Sequence, residues 1–169
     1  AGSPVTKRHV EQRILRHIPP HHLFQIVAHV NAYQDFLPLC SHSQITHQYP
    51  SQKDHPQTSE FRATLTVGFL PPLLSDTYES HVTLTTPHHS SVSQPTPHQD
   101  WIIHTQSIPG TSKLFDSLSS TWKIAALPSE EEGSNHNHSN SHTATTPNDD
   151  DDATGDGCRV DFEVTLTAS

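Results

Sequence analysis

A chain of 169 residues suits one domain with room for a sizeable core. Its formal charge of −9, with only 9 Lys and Arg, excludes the clustered basic surface that phosphate backbones require, so no nucleic-acid partner is expected. No run approaches the roughly 18 apolar residues of a membrane span, and the 16 His make the charge reverse sign in mild acid. The hydrophobic share of 31% is low, and unevenly spread. Residues 86–100 and 128–157 hold almost no large apolar side chains apart from Val92, too little to offset chain entropy, and read as two disordered insertions. No Met occurs, so the sequence reads as a processed or trimmed product, and the lack of a targeting segment carries no information.

In chain order, "KRHVEQRILRHI" puts Val10, Gln12, Ile14, Arg16 and Ile18 on one face, a period of two that predicts a strand. Pro19 and Pro20 end it and suit a helix start. "PHHLFQIVAHV" then gives Leu23, Ile26, Val27 and Val30 at helical spacing, predicting a helix over about 20–30 with Asn31 as its stop. "YQDFLPLC" is proline-bounded and reads as one turn followed by an extended piece, with a weak strand over 41–49. "EFRATLTVGF" alternates cleanly: Phe61, Ala63, Leu65, Val67 and Phe69 share one face. "DTYESHVTLTT" repeats the pattern with Tyr78, Ser80, Val82 and Leu84. These two strands predict a hairpin around the apolar cluster Leu70, Pro71, Pro72, Leu73 and Leu74, a place where a polar turn is the rule. Further strands are predicted at "DWIIHTQSI", "LSSTWKIAAL" and "CRVDFEVTLTA", the last facing Val160, Phe162, Val164 and Leu166 one way and Arg159, Asp161, Glu163 and Thr165 the other. Strands without intervening helices favour antiparallel neighbours. The fold class is α+β: a curved antiparallel sheet with one apolar face and few helices.

Chemistry-bearing patterns are sparse. Cys40 and Cys158 are far apart, border apolar runs and read as buried thiols. His136, His138 and His142 lie beside an Asp run, but their spacing matches no structural zinc pattern, and no metal is expected. Glu60, Asp76, Glu79, Asp100, Asp116, Asp161 and Glu163 are the carboxylates on structured elements, mostly on polar strand faces where solvation is the default. No nucleophile elbow and no phosphate-binding glycine loop occur. The inward apolar side chains outnumber what one helix can cover. Such a face is filled by something else or encloses a ligand.

Several blocks together carry a resemblance. "HLFQIVAHVNAYQDFLPLC" resembles the helix and turn of coenzyme Q-binding proteins in the START-like, polyketide-cyclase superfamily; Phe36, Leu37, Pro38 and Cys40 match that family's motif, and Leu39 stands where Trp is usual. "LTVGFLPPLLSDTYESHVTL" resembles its Val-Gly-Phe segment, apolar proline turn and Tyr-x-Ser-x-Val strand. "KLFDSLSSTWKI" resembles its Leu-Phe-x-x-Leu-x-x-x-Trp segment through Leu114, Phe115, Leu118 and Trp122. "CRVDFEVTL" resembles its penultimate element through Cys158, Val160, Asp161 and Phe162. The blocks run in order over nearly all of the structured chain.

The resemblance implies a helix-grip fold, one START-like domain over 7–169, in which the sheet wraps a long C-terminal helix around an apolar tunnel. The chain stops at Ser169, where that helix would begin, so the domain is expected to be C-terminally incomplete and its concave face open, dimerised or unstable. The implied ligand is ubiquinone, bound without catalysis or cofactor. The implied setting is the matrix side of the mitochondrial inner membrane, where a peripheral protein would support respiration and ubiquinone synthesis as a carrier or chaperone. Val67, Phe69, Val82, Leu84, Trp101, Trp122, Phe162 and Val164 are the expected tunnel lining. Leu70, Pro71, Pro72, Leu73 and Leu74 are the expected membrane-docking edge, held rigid by prolines that need no N–H partner. Two alternatives stay open: a lipid-transfer module for phospholipid, and a cyclase or dehydratase of the same superfamily, which would need ordered polar groups in the cavity. A relative acting on ribosomes would show a basic surface, which is absent.

Overall fold

The computed structural model describes residues 3–50, 56–70, 74–87, 100–128 and 157–169, leaving aside the side chains of Phe69, Leu70 and Leu74. The two expected insertions therefore fall almost wholly outside the described residues, as do His136, His138 and His142.

Each segment with a period of two forms a strand: β1 (Val5–Arg16), β2 (Cys40–Gln48), β3 (Thr58–Leu70), β4 (Leu74–Thr85), β5 (Trp101–Ser107), β6 (Ser117–Ala126) and β7 (Gly157–Ala168). They make one antiparallel seven-stranded sheet in the order β1-β7-β6-β5-β4-β3-β2. From β2 to β7 every strand pairs antiparallel with its successor. β1 then pairs with β7, so the chain must cross the whole sheet to start β2. The crossing segment is helical: α1 (Pro20–Ala28), a 3-10 turn (Val30–Ala32) and α2 (Tyr33–Phe36). This is the helix-poor, curved-sheet form of the helix-grip architecture, and among the described residues no long helix lies across the sheet.

Pro20 occupies the first helical position of α1, where a missing N–H has no partner to lose. The Pro19 carbonyl accepts the first bonds, from the N–H of His22 at 3.1 Å and of Leu23 at 3.3 Å. The helix ends at Ala28, before the expected stop at Asn31, and is followed by the 3-10 turn. Its buried stripe is Phe24 and Val27, continued by Val30, whereas Ile26 is 54% exposed. The expected face of Leu23, Ile26, Val27 and Val30 is thus rotated, because the Phe24 ring lands on Trp101 of β5 with centroids 4.9 Å apart.

The register decides which side of each strand faces the helices. Phe61 and Ala63 of β3, Val82 of β4, Ile103 of β5, Ile124 of β6 and Val160 of β7 form the core with α1. Burying a large aliphatic side chain of this kind contributes about 1.5–3 kcal/mol. β1 reverses the simple expectation for its apolar residues. Val10 and Ile14 are 57% and 58% exposed, while Leu15 packs on the core. Glu11 and Arg13 lie directly opposite Phe162 and Val160 and share their face, so the concave surface turns polar at this edge. On the outer face Arg8 bonds Glu163 at 2.7 Å and Gln12 bonds Asp161 at 2.5 Å across the β1–β7 pair. The expected thiols are buried, Cys40 at 8% and Cys158 at 0% exposure.

A ligand cavity on the concave face

Helices α1 and α2 cover one end of the concave face and leave a cavity of about 380 Å³ beside them. Val27, Val30, Tyr33, Phe36 and Leu37 form its helical wall, with Pro38 and Cys40 below. The sheet supplies Leu65 and Val67 from β3, Tyr78, Ser80 and Val82 from β4, and Ile103 and Thr105 from β5. Leu118, Ser120 and Trp122 of β6 and Phe162 and Val164 of β7 complete it. Among the described residues no charged side chain lines it.

Of the expected lining, Val67, Val82, Trp122, Phe162 and Val164 border this space. Leu84 and Trp101 do not: both pack against the buried core, and the Phe24 ring lies on Trp101. The alternation of β3 breaks at the sixty-ninth residue, since the β3–β4 register passes from Gly68–Ser75 to Leu70–Leu74. The Phe69 side chain, and the proposed docking edge of Leu70, Pro71, Pro72, Leu73 and Leu74, lie outside the described side chains. Two of the lining residues are exposed apolar groups, Phe36 at 49% and Leu37 at 40%.

The cavity holds more polar groups than the apolar strand faces suggested. Tyr33 donates its hydroxyl to the Val27 carbonyl. Thr105 and Ser120 bond one another at 2.7 Å across β5 and β6. The Cys40 thiol points at the His42 carbonyl at 3.4 Å. Tyr78 is fixed by an edge contact with Phe115, centroids 5.1 Å apart. Its hydroxyl, and that of Ser80 two residues on, have no hydrogen-bond partner among the described residues. Tyr78 and Ser80 were legible as one strand face; nothing in the alternation marked their hydroxyls as unpartnered. Burial pushes the pKa of Tyr33 and of Tyr78 up to about 12, and raises the Cys40 thiol. All three therefore keep their protons near neutral pH.

Among the carboxylates, Asp76 departs from the solvated default. It is 5% exposed at the start of β4. Burial pushes its pKa up, but hydrogen bonds from the Ser112 hydroxyl and the backbone N–H groups of Lys113, Leu114 and Thr77 outweigh this and hold it below the usual range. It anchors the loop before β6 and does not reach the cavity lining. Among the described residues no group of three His, Cys, Asp or Glu gathers at metal-binding distance, and no helix is long and apolar enough to cross a membrane.

A family model described as polyketide cyclase / dehydrase and lipid transport matches residues 17–169. The chain belongs to that family. Its fold is similar to the Zhui aromatase/cyclase from Streptomyces sp. R1128, with a TM-score of 0.51 and 11% identity over 99% of this chain and 70% of that one. A Deinococcus radiodurans protein from a structural genomics consortium aligns with a TM-score of 0.47 and 11% identity over 96% of this chain and 83% of that one. A search of curated proteins finds no match. At 11% identity the Zhui likeness extends to the fold alone.

Proposed function

We propose that this domain binds ubiquinone and acts as its carrier, with the quinone ring in the cavity and the tail leaving through the mouth. The observation that carries the reading is an apolar cavity with no charged lining residue among the described residues, bordered by half-exposed Phe36 and Leu37. At about 380 Å³ it lies at the small end of the roughly 300–1,000 Å³ typical of small-molecule sites. It has room for a substituted ring and the start of a tail. Each tail carbon gains about 0.8 kcal/mol on leaving water, but a bilayer offers nearly the same, so exchange between membrane and protein is close to neutral. That balance suits a carrier, with selectivity set by the head group and cavity shape. The uncharged lining disfavours a phospholipid head group, which would bury its phosphate unpaired.

In this reading the protein works peripherally, on the matrix side of the mitochondrial inner membrane, in support of respiration and ubiquinone synthesis. That setting rests on the sequence resemblance. The apolar rim supports contact with a bilayer.

A second reading is a cyclase or dehydratase, favoured by the free hydroxyls of Tyr78 and Ser80 inside the cavity. General acid–base chemistry works best with a group that titrates near the working pH. Tyr33, Tyr78 and Cys40 are instead all pushed upward, which favours binding over catalysis. Organic extraction of the protein purified from a quinone-producing host, followed by mass spectrometry, separates the readings. Ubiquinone above the level carried by a Val82→Asp variant is the expected result. Phospholipid alone, or an empty extract that stays empty after incubation with quinone-loaded vesicles, rejects the carrier.

A further inference from the structure

Most polar atoms of the cavity already have partners within the protein. The Tyr33 hydroxyl is held by Val27, Thr105 and Ser120 hold each other, and the Cys40 thiol is directed at His42. β4 is different. Tyr78 and Ser80 sit two residues apart on one face of that strand and are 7% and 4% exposed. Both border the cavity, and neither side chain has a hydrogen-bond partner among the described residues. Neither hydroxyl belongs to the fully sealed, unpartnered polar atoms, so each keeps some access to solvent, and both residues line the cavity. A hydroxyl on a largely buried residue that finds no partner within the protein is left for water or a ligand to satisfy.

We infer that Tyr78 and Ser80 form the polar anchor of the cavity, and that they receive a neutral oxygen acceptor, a ketone or quinone carbonyl or a ring ether, on an otherwise apolar ligand. The chemistry follows from the donors. A phenol and an alcohol both donate to a carbonyl lone pair. Neither offers a positive charge, and among the described residues no Lys, Arg or His lines the space, so a carboxylate or phosphate would enter without compensation. The contact between Tyr78 and Phe115 orients the phenol before any ligand arrives, which lowers the ordering cost of binding. The anchor also supplies what tail burial cannot. An alkane gains as much from lipid as from this cavity, whereas a carbonyl finds two donors here and none in the bilayer core. The inference deepens the carrier reading and rests on it for the identity of the ligand as a quinone; the donor pair itself specifies any neutral carbonyl.

The test titrates four probes into the intact chain and follows tryptophan fluorescence: a short-tailed dimethoxybenzoquinone, a long-chain ketone, the alkane of equal length and the matching carboxylate. Wild type should bind the carbonyl probes more tightly than the alkane, and the carboxylate least. Tyr78→Phe should weaken the carbonyl probes about five- to tenfold, the scale of one net hydrogen bond, with the alkane unchanged or improved. Ser80→Ala should give a smaller loss of the same pattern. Ketone binding without quinone binding would sink the quinone reading and leave the anchor standing. Equal losses for ketone and alkane in Tyr78→Phe, carbonyl affinity indifferent to both substitutions, or no preference for carbonyl over alkane in wild type would each overturn the anchor. Thermal melts of both variants identify a folding defect. Should Tyr78→Phe not fold, Ser80→Ala with the same probe pairs decides.

Discussion

Trp122 and Phe162 stand directly opposite each other on β6 and β7, and their rings meet at 4.6 Å between centroids, tilted by 47°. Both line the cavity, so this pair forms an aromatic wall on the β6–β7 side. Trp101 is the other indole of the chain and lies under Phe24, outside the cavity. The two fluorophores therefore report on different places. A quinone entering the cavity should quench Trp122, which lines it, more strongly than Trp101, its diagonal neighbour across β5 and β6. Trp122→Phe should abolish most of the quinone-induced quenching, and Trp101→Phe should preserve it. Equal quenching in the two variants would place the ligand elsewhere.

Asp76 gives the fold an acid-sensitive point. Its carboxylate accepts the Ser112 hydroxyl and the Lys113 N–H, tying β4 to the loop before β6. Its pKa is below the unfolded value of about 3.9 in the folded protein. The stabilisation is therefore fully present above about pH 4 and is lost as pH falls through the lower folded value. Asp76→Ala should cost about 2–3 kcal/mol near neutral pH, the scale for removing a buried charged acceptor and stranding its donors. Urea unfolding from pH 6 down to 2 checks both parts: wild type should lose stability more steeply than Asp76→Asn as acid is added.

The element order and the inward faces of β3, β4, β6 and β7 were readable because alternation survives wherever one strand face is apolar and the other wet. β1 misled for the same reason. Its apolar Val10 and Ile14 alternate well but face outward, and the inward positions opposite Phe162 and Val160 carry Glu11 and Arg13. Leu84 and Trp101 faced the right way and still miss the cavity, because alternation gives a side and not a location. Where α1 lands, and so which end of the sheet Phe24 fills, depends on long-range packing that no local pattern carries. The polar half of the site was hidden differently. Tyr78 and Ser80 look like ordinary strand residues until the partners of every neighbouring hydroxyl are known.

Gly157 tests how closely β1 and β7 approach. It pairs with Arg16, and a β-carbon added there would sit 2.7 Å from the Leu15 carbonyl oxygen and 2.9 Å from Leu127 Cδ1. The leucine can turn aside; the backbone oxygen is held in the sheet. Gly157→Ala should cost at least about 2 kcal/mol and lower the melting temperature by about 5 °C or more. A variant that melts within a degree of wild type would mean that the strands part more easily at this end than the register implies.

The turn below the cavity stores strain of a kind that substitution can release. Cys40 N–H donates to the Leu37 carbonyl at 3.2 Å, Pro38 takes the second position and Leu39 the third, with φ of +71°. This is type II geometry, in which the third position favours glycine. A leucine held there costs about 1–2 kcal/mol relative to a residue free of a β-carbon, and at 55% exposure its side chain recovers little by packing. Glycine returns part of the relief as extra unfolded-state entropy, about 0.5–1 kcal/mol. Leu39→Gly should therefore raise stability by about 0.5–1 kcal/mol, and Leu39→Val, stiffer at its branched carbon, should lower it by about 1 kcal/mol. The Leu39 carbonyl accepts the Gly68 N–H at 2.7 Å, and that bond survives either change. Pro38 and Leu37 thus keep their places in the cavity wall, and short-tailed quinone should bind Leu39→Gly as it binds wild type. Parallel urea melts and quinone titrations read both effects; a glycine variant less stable than the valine one would show that the turn does not hold this conformation in solution.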